Sequence, residues 1–263
     1  MSYHRNMSST VYSQVKLFLK DFVSILESTL GQNLIGAYLY GSFATADFDE
    51  ALSDIDLLMV LREEVDDGLL KQLESMQDKI KSEHEPCGAR IDVAYLSKEA
   101  LRTFKEKPSK VIVSNDTGGL DIVDAPEYYL IDWYKVREHA ITLYGPEAET
   151  LVPPITTEMF TETIYKYMLT WPKRATEVDK RTQQAYAVLT MCRSYYAYSH
   201  GRHTSKKAGA RWVIAKYPEW SGLIEKALTW NRDEKNNNIE DRQNQLQTQE
   251  FIKFILCEVN NKA

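Results

Sequence analysis

Leu34-Ile35-Gly36-Ala37-Tyr38-Leu39-Tyr40-Gly41-Ser42, followed after a polar loop by Leu52-Ser53-Asp54-Ile55-Asp56-Leu57-Leu58-Met59-Val60, decides the fold. The pattern is an apolar strand, a Gly-Ser turn, and a second apolar strand opened by two carboxylates. Side chains alternate along a strand, so Asp54 and Asp56 share one face while Ile55 takes the other. Two neighbouring carboxylates repel unless a cation lies between them. A hard ion such as Mg²⁺ accepts one or two carboxylates together with substrate phosphates. Gly41 lets the backbone approach closely, and Ser42 offers a hydroxyl and an N–H to an anion. A metal site facing an anion site suits phosphoryl or nucleotidyl transfer.

Asp-x-Asp alone is common, and Ser-Asp before an apolar run is often only a turn. The compound pattern needs a third acid from a neighbouring strand. Arg90-Ile91-Asp92-Val93-Ala94-Tyr95-Leu96 supplies it at Asp92. With all three parts present, Asp54, Asp56 and Asp92 are read as metal ligands, with Asp92 also the candidate base.

The 263 residues allow one large or two modest domains. A formal charge of −6 argues against a long nucleic acid as partner, since such binders carry a basic face. Cys87, Cys192 and Cys257 are scattered without metal-ligand spacing, as in reduced cytoplasmic proteins. No apolar run reaches membrane-spanning length, and Met1–Asn6 lacks a signal-peptide core. The expectation is a cytoplasmic protein with no membrane association, monomeric or weakly dimeric.

Apolar spacing predicts a helix over 9–30 closed by Gly31, and another over 66–84 capped by Asp66 or Asp67. A turn at 85–89 leads into the Asp92 strand. Lys98–Lys110 reads as a short helix and a loop, Val111–Val113 as a further strand, and Ser114–Gly119 as a loop tip. A helix is expected over 127–143, ending at Gly145-Pro146, and Pro153-Pro154 marks a linker. Beyond it come helices over 156–171, 180–200, 205–217, 219–231 and 239–260, with Asn236-Asn237-Asn238 a polar loop. The fold class is α+β: a mixed sheet with helices over 1–152, then an all-α helical bundle over 153–263.

Arg193 interrupts the apolar helix Val188–Tyr198. It either pairs with an internal acid or points at a phosphate. Lys206 follows the cap residue Ser205 at a helix start, where N–H groups and dipole favour an anion. The alternative for it is a solvated surface lysine.

Gly-Ser, Asp-x-Asp and a third acid one strand on resemble the nucleotidyltransferase superfamily related to DNA polymerase β. Within it, the chain resembles the aminoglycoside (3'')(9)-adenylyltransferases. The likeness is carried by Tyr38–Ser42, Ser53–Leu58, Lys135-Val136-Arg137-Glu138-His139-Ala140, Leu143–Pro146, and Val188-Leu189-Thr190 with Arg193, Tyr196, Gly201 and Lys206. The resemblance implies a pol-β-like N-terminal domain, an all-helical C-terminal domain, and AMP transfer from ATP to a drug hydroxyl. It implies Mg²⁺ on Asp54 and Asp56, and ATP on Arg193 and Lys206 beside the Gly41-Ser42 turn already read as its phosphate end, with Trp230 the nearest match to a nucleotide-contacting Tyr. The acceptor is expected to be small, cationic or polyhydroxylated.

Three departures stand out. The family's base is a Glu, whereas the matching position here is Asp92. Its Gly-Glu-Trp has no counterpart around Ser114–Thr117. Its Asp-Glu-Arg-Asn run is replaced by Thr182-Gln183-Gln184-Ala185-Tyr186. For the acceptor side this leaves Trp171, Glu177, Asp179 and Tyr186, whose alternative reading is a core Trp and solvated acids. The competing functions are the same chemistry on a lincosamide or a metabolite, and a non-catalytic nucleotide-binding regulator.

Overall fold

Strand alternation and helix amphipathicity build the first of two compact units, Met1–Pro154 and Ile155–Ala263. The computed structural model describes residues 9–45, 48, 53–107, 109–115, 118–230 and 241–261, without the side chains of 9–13.

In the first unit, helix α1 (Ser9–Leu30) precedes β1 (Leu34–Leu39), α2 (Gly41–Ala44) and β2 (Ile55–Leu61). Helix α3 (Asp67–Glu83) follows, then β3 (Ile91–Ser97), α4 (Lys98–Thr103), β4 (Lys110–Ser114) and β5 (Leu120–Asp124). Helix α5 (Leu130–His139), β6 (Ile141–Tyr144) and α6 (Ala148–Leu151) complete it. The strands form a single sheet in the order β5-β4-β3-β2-β1-β6. Only β2 and β3 run parallel, joined through α3, and the other described pairs are antiparallel.

One face of the sheet is covered by α1 and α3. Val15, Phe18, Phe22 and Leu26 recur at helical spacing and share a core with Leu73, Met76 and Ile80 of α3. Ile55, Leu57, Met59 and Leu61 of β2 and Ile91, Val93 and Tyr95 of β3 point into that core. The alternate positions, Asp56 and Asp92 among them, therefore point to the opposite face. Asp66 caps α3, its Oδ1 accepting from Leu69 N–H at 2.8 Å.

The helix expected over 127–143 is shorter. A 3₁₀ turn spans Glu127–Tyr129, α5 ends at His139, and Ala140 is extended (φ −67°, ψ 150°). Ile141–Tyr144 is instead an edge strand on β1, with Tyr38 opposite Thr142. The open edge of β1 supplies hydrogen-bond partners that a further helical turn would leave unused, and β-branched Ile141 and Thr142 favour the pleat. Gly145 permits the turn that follows: its φ is +82°, and a Cβ there would lie 2.1 Å from the Ile35 carbonyl oxygen. The loop tip after Ser114 closes a hairpin, because β5 pairs back on β4. Residues 116 and 117 lie outside the described set, as do 231 and 236–240 and most of the loop before Ser53.

The described elements of the second unit are helices: α7 (Thr157–Leu169), α8 (Trp171–Arg174), α9 (Arg181–His200), α10 (Lys206–Lys216), α11 (Ser221–Trp230) and α12 (Arg242–Asn260), with a 3₁₀ turn at Pro218–Trp220. The expected 156–171 helix breaks at Thr170, and Pro172 occupies the first turn of α8, where no N–H is needed. Helix α9 is the axis, contacted by α7, α10, α11 and α12. It is buried along most of its length, Gln184 to Ala197, so its sequence shows little polar striping. Gly201, at φ +65°, ends it. Gly209 of α10 allows a close crossing, since a Cβ there would lie 2.8 Å from Arg193 Cα.

Candidate active site

Asp56 and Asp92 stand directly opposite one another, because β2 and β3 pair in parallel register. Asp54 sits on the exposed lead-in to β2, and Asp56 is half-buried. Asp92 is open to solvent yet hemmed in by protein. Burial raises the Asp56 carboxyl; Lys135 opposes the rise, while Asp92, Asp132 and Asp54 add to it, leaving it at about 7. Burial, Asp54 and Asp132 raise Asp92 to about 6, again against Lys135. These carboxylates lie close enough to hinder one another's ionisation.

Gly41 sits against this pair. Its φ is +68°, and a Cβ there would fall 1.8 Å from Asp56 Oδ2. Any larger residue would displace the carboxylate. The expected Gly-Ser turn is thus the first turn of α2, with Tyr40 N–H donating to the Asp56 carbonyl at 3.0 Å. Ser42 is half-exposed on that turn.

Two residues to which the sequence assigned no role, Lys135 being quoted only within a run that carries the family likeness, join the acids. Helix α5 packs against α2 and buries Leu130, Ile131, Trp133 and Val136. Its remaining stripe carries Asp132 and Lys135, whose Nζ lies 2.7 Å from Asp132 Oδ1 with both side chains largely covered. Both charges reach Asp56 and Asp92. Tyr129 and Tyr40 border the same place: burial, then Tyr128, Asp132 and Asp92, push the Tyr129 phenol to about 12. Burial, then Asp132, Asp56 and Asp92, push Tyr40 well above its usual range.

Among the described residues, no three His, Cys, Asp or Glu side chains are already gathered as a metal cage. The donor set still fits a magnesium-type ion, which takes one or two carboxylates and completes its shell with water and phosphate oxygens. The mutual hindrance at Asp56 and Asp92 is what such a cation would relieve.

In the second unit, Arg193 is half-buried on α9 and acts on the Tyr167 hydroxyl, as does Arg174. Lys206 opens α10 behind Ser205, whose Oγ accepts from Ala208 N–H at 3.1 Å. Its Nζ lies 4.6 Å over the Tyr186 ring. Tyr186, 43% exposed, is 5.9 Å from Trp171. Trp171, expected to offer its ring to a sugar, is only 3% exposed, because Tyr167, Tyr186 and Arg174 surround it. Its indole N–H is buried without a hydrogen-bond partner among the described residues. Trp230, expected to touch the nucleotide, is 8% exposed beneath Arg181, 5.6 Å from its ring. Glu177 and Asp179 are exposed in the turn before α9, where Gln184 Nε2 donates to the Asp179 carbonyl at 2.8 Å.

Residues 22–118 match the family described as polymerase beta, nucleotidyltransferase. Residues 150–256 match the aminoglycoside adenylyltransferase C-terminal domain. An Escherichia coli aminoglycoside (3'')(9) adenylyltransferase is 23% identical over 96% of this chain and 98% of its own. A spectinomycin 9-adenylyltransferase of Campylobacter jejuni is 27% identical over 75% of this chain and 77% of its own. In three dimensions, the spectinomycin adenyltransferase AAD(9) of Enterococcus faecalis, crystallised with ATP and spectinomycin, superposes with a TM-score of 0.71 at 19% identity. That match covers 95% of this chain and 99% of the other, and shows a shared fold.

Proposed function

We propose that this chain, whose two parts match the polymerase beta nucleotidyltransferase and the aminoglycoside adenylyltransferase C-terminal models, transfers AMP from ATP to a hydroxyl of spectinomycin, streptomycin or a related aminocyclitol. The observation that carries this reading is the register of β2 against β3, which sets Asp56 opposite Asp92 beside the Gly41 turn.

The acceptor oxygen attacks the α-phosphorus as the bond to the β-phosphate oxygen breaks and pyrophosphate leaves. Asp92 takes the hydroxyl proton. Burial, Asp54 and Asp132 raise its carboxyl in the cation-free chain, and a bound cation would favour its ionised, proton-accepting form. Asp54 and Asp56, with Asp92, would hold Mg²⁺, which supplies charge neutralisation at the phosphates. The Gly41 backbone and Ser42 serve the phosphates through N–H and hydroxyl donors. Arg193 and Lys206 add fixed positive charge for the triphosphate. Tyr186, Glu177 and Asp179 are assigned to the acceptor side: an exposed ring for a sugar and two carboxylates for its cations. ATP and spectinomycin are the ligands of the Enterococcus relative, and they support this choice of substrates.

The test is pyrophosphate release from ATP with spectinomycin or streptomycin, comparing the natural chain with Asp56→Ala. The variant is expected to lose at least about 100-fold in rate while its circular dichroism stays unchanged. A folded Asp56→Ala chain turning over at the natural rate would overturn the proposal. Release with a lincosamide and neither of these drugs would replace the acceptor.

A further inference from the structure

The half-buried pair on α5 does more than stabilise a helix. Asp132 and Lys135 point away from the apolar stripe of Leu130, Ile131, Trp133 and Val136. They lie on the helix that packs against α2, whose first residue touches Asp56. The charges of Asp54, Asp56, Asp92, Asp132 and Lys135 thus act on one another and on the phenols of Tyr40 and Tyr129. Surface i, i+3 pairs are common and weak, but this one is largely covered, and Lys135 acts on Asp56 and Asp92 as well as on its direct partner.

We propose that Lys135 is a positioning residue whose charge competes with the divalent cation for Asp56 and Asp92, and that Asp132 holds it back from them. The inference rests on the proposed metal role of the acids. In the cation-free chain the Lys135 ammonium offsets carboxylates that would otherwise repel one another. The same charge weakens metal binding when no nucleotide is present. ATP, bringing phosphate oxygens as further ligands, tips the competition, so metal and nucleotide bind as a pair. Asp132 sets the balance by holding Lys135 Nζ 2.7 Å away from its own carboxylate oxygen.

The two partners should therefore have opposite effects on metal affinity. Mn²⁺ is the probe, its binding to the ATP-free chain read by electron paramagnetic resonance. Lys135→Met removes the competing charge and is expected to tighten Mn²⁺ binding by about tenfold. Asp132→Asn releases Lys135 toward Asp56 and Asp92 and is expected to weaken binding by a similar factor. Lys135→Arg keeps the charge and should stay near the natural value. A purely structural pair would give the same sign for both disruptions, since both loosen α5. Weaker binding in both variants, or no change beyond twofold in either, overturns the inference. If Lys135→Met does not fold, Lys135→Gln takes its place, with the same tightening expected and the same outcomes overturning the inference. A natural chain that binds no Mn²⁺ even when ATP is present removes the acid-site reading itself, whereas bound Mn²⁺ with equal signs removes only the role of Lys135.

Discussion

At the scale of single residues, Asp56 and Asp92 make stability depend on pH in an unusual direction. An unfolded Asp titrates near ~3.9, whereas in the cation-free fold Asp92 holds its proton to about 6 and Asp56 to about 7. A folded-state pKa above the unfolded one gives stability that is fully present below the unfolded value. That stability is lost as pH rises through the folded values. The melting temperature of the chain in EDTA is therefore expected to fall between pH 5 and pH 8, and to fall less in Asp56→Asn. Equal slopes in the two proteins would show that the raised carboxyl is not the source. These acids were legible in the sequence because a carboxylate on an otherwise apolar strand breaks a period of two. Asp132 and Lys135 were not, because an acid–lysine pair on a helix has the spacing of an ordinary surface ion pair, and their proximity to the strands is purely tertiary. For Trp171 the alternative reading, a core Trp, is the one its burial matches. Its place after Leu169-Thr170 says nothing of the rings from α7 and α9 that cover it.

Among elements, α1, α3 and the three central strands follow directly from apolar periodicity, and Ser205 and Gly201 mark helix ends where the sequence puts them. Strand β6 shows where local reading fails. Ile141 and Leu143 continue the apolar rhythm of α5, and only the unfilled edge of β1 converts them to a strand. Strand β5 went unread for a similar reason: five residues beside a turn declare themselves only through their pairing with β4. The β6 edge depends on Gly145. Gly145→Ala is expected to cost about 1–3 kcal/mol, from a positive φ and a Cβ driven against the Ile35 carbonyl. Urea denaturation would measure it, and an unchanged midpoint would mean that the turn re-forms without strain.

For the whole molecule, an excess of six negative charges bears on how a cationic drug arrives. Attraction over distances beyond contact raises association rates and is screened by salt. Raising ionic strength from ~50 to ~300 mM, where the screening length falls to several ångströms, is expected to lower kcat/KM for streptomycin with little change in kcat. A salt-independent kcat/KM would mean that encounter is not steered. Within the described residues, no helix is long and apolar enough to cross a membrane.

Because Asp56 and Asp92 face each other across a hydrogen-bonded parallel pair, the gap between their α-carbons is the strand spacing of roughly 5 Å. No insertion in a loop can stretch or shrink it. Segments around the sheet can change what they present to these acids while the distance between them stays set by the sheet.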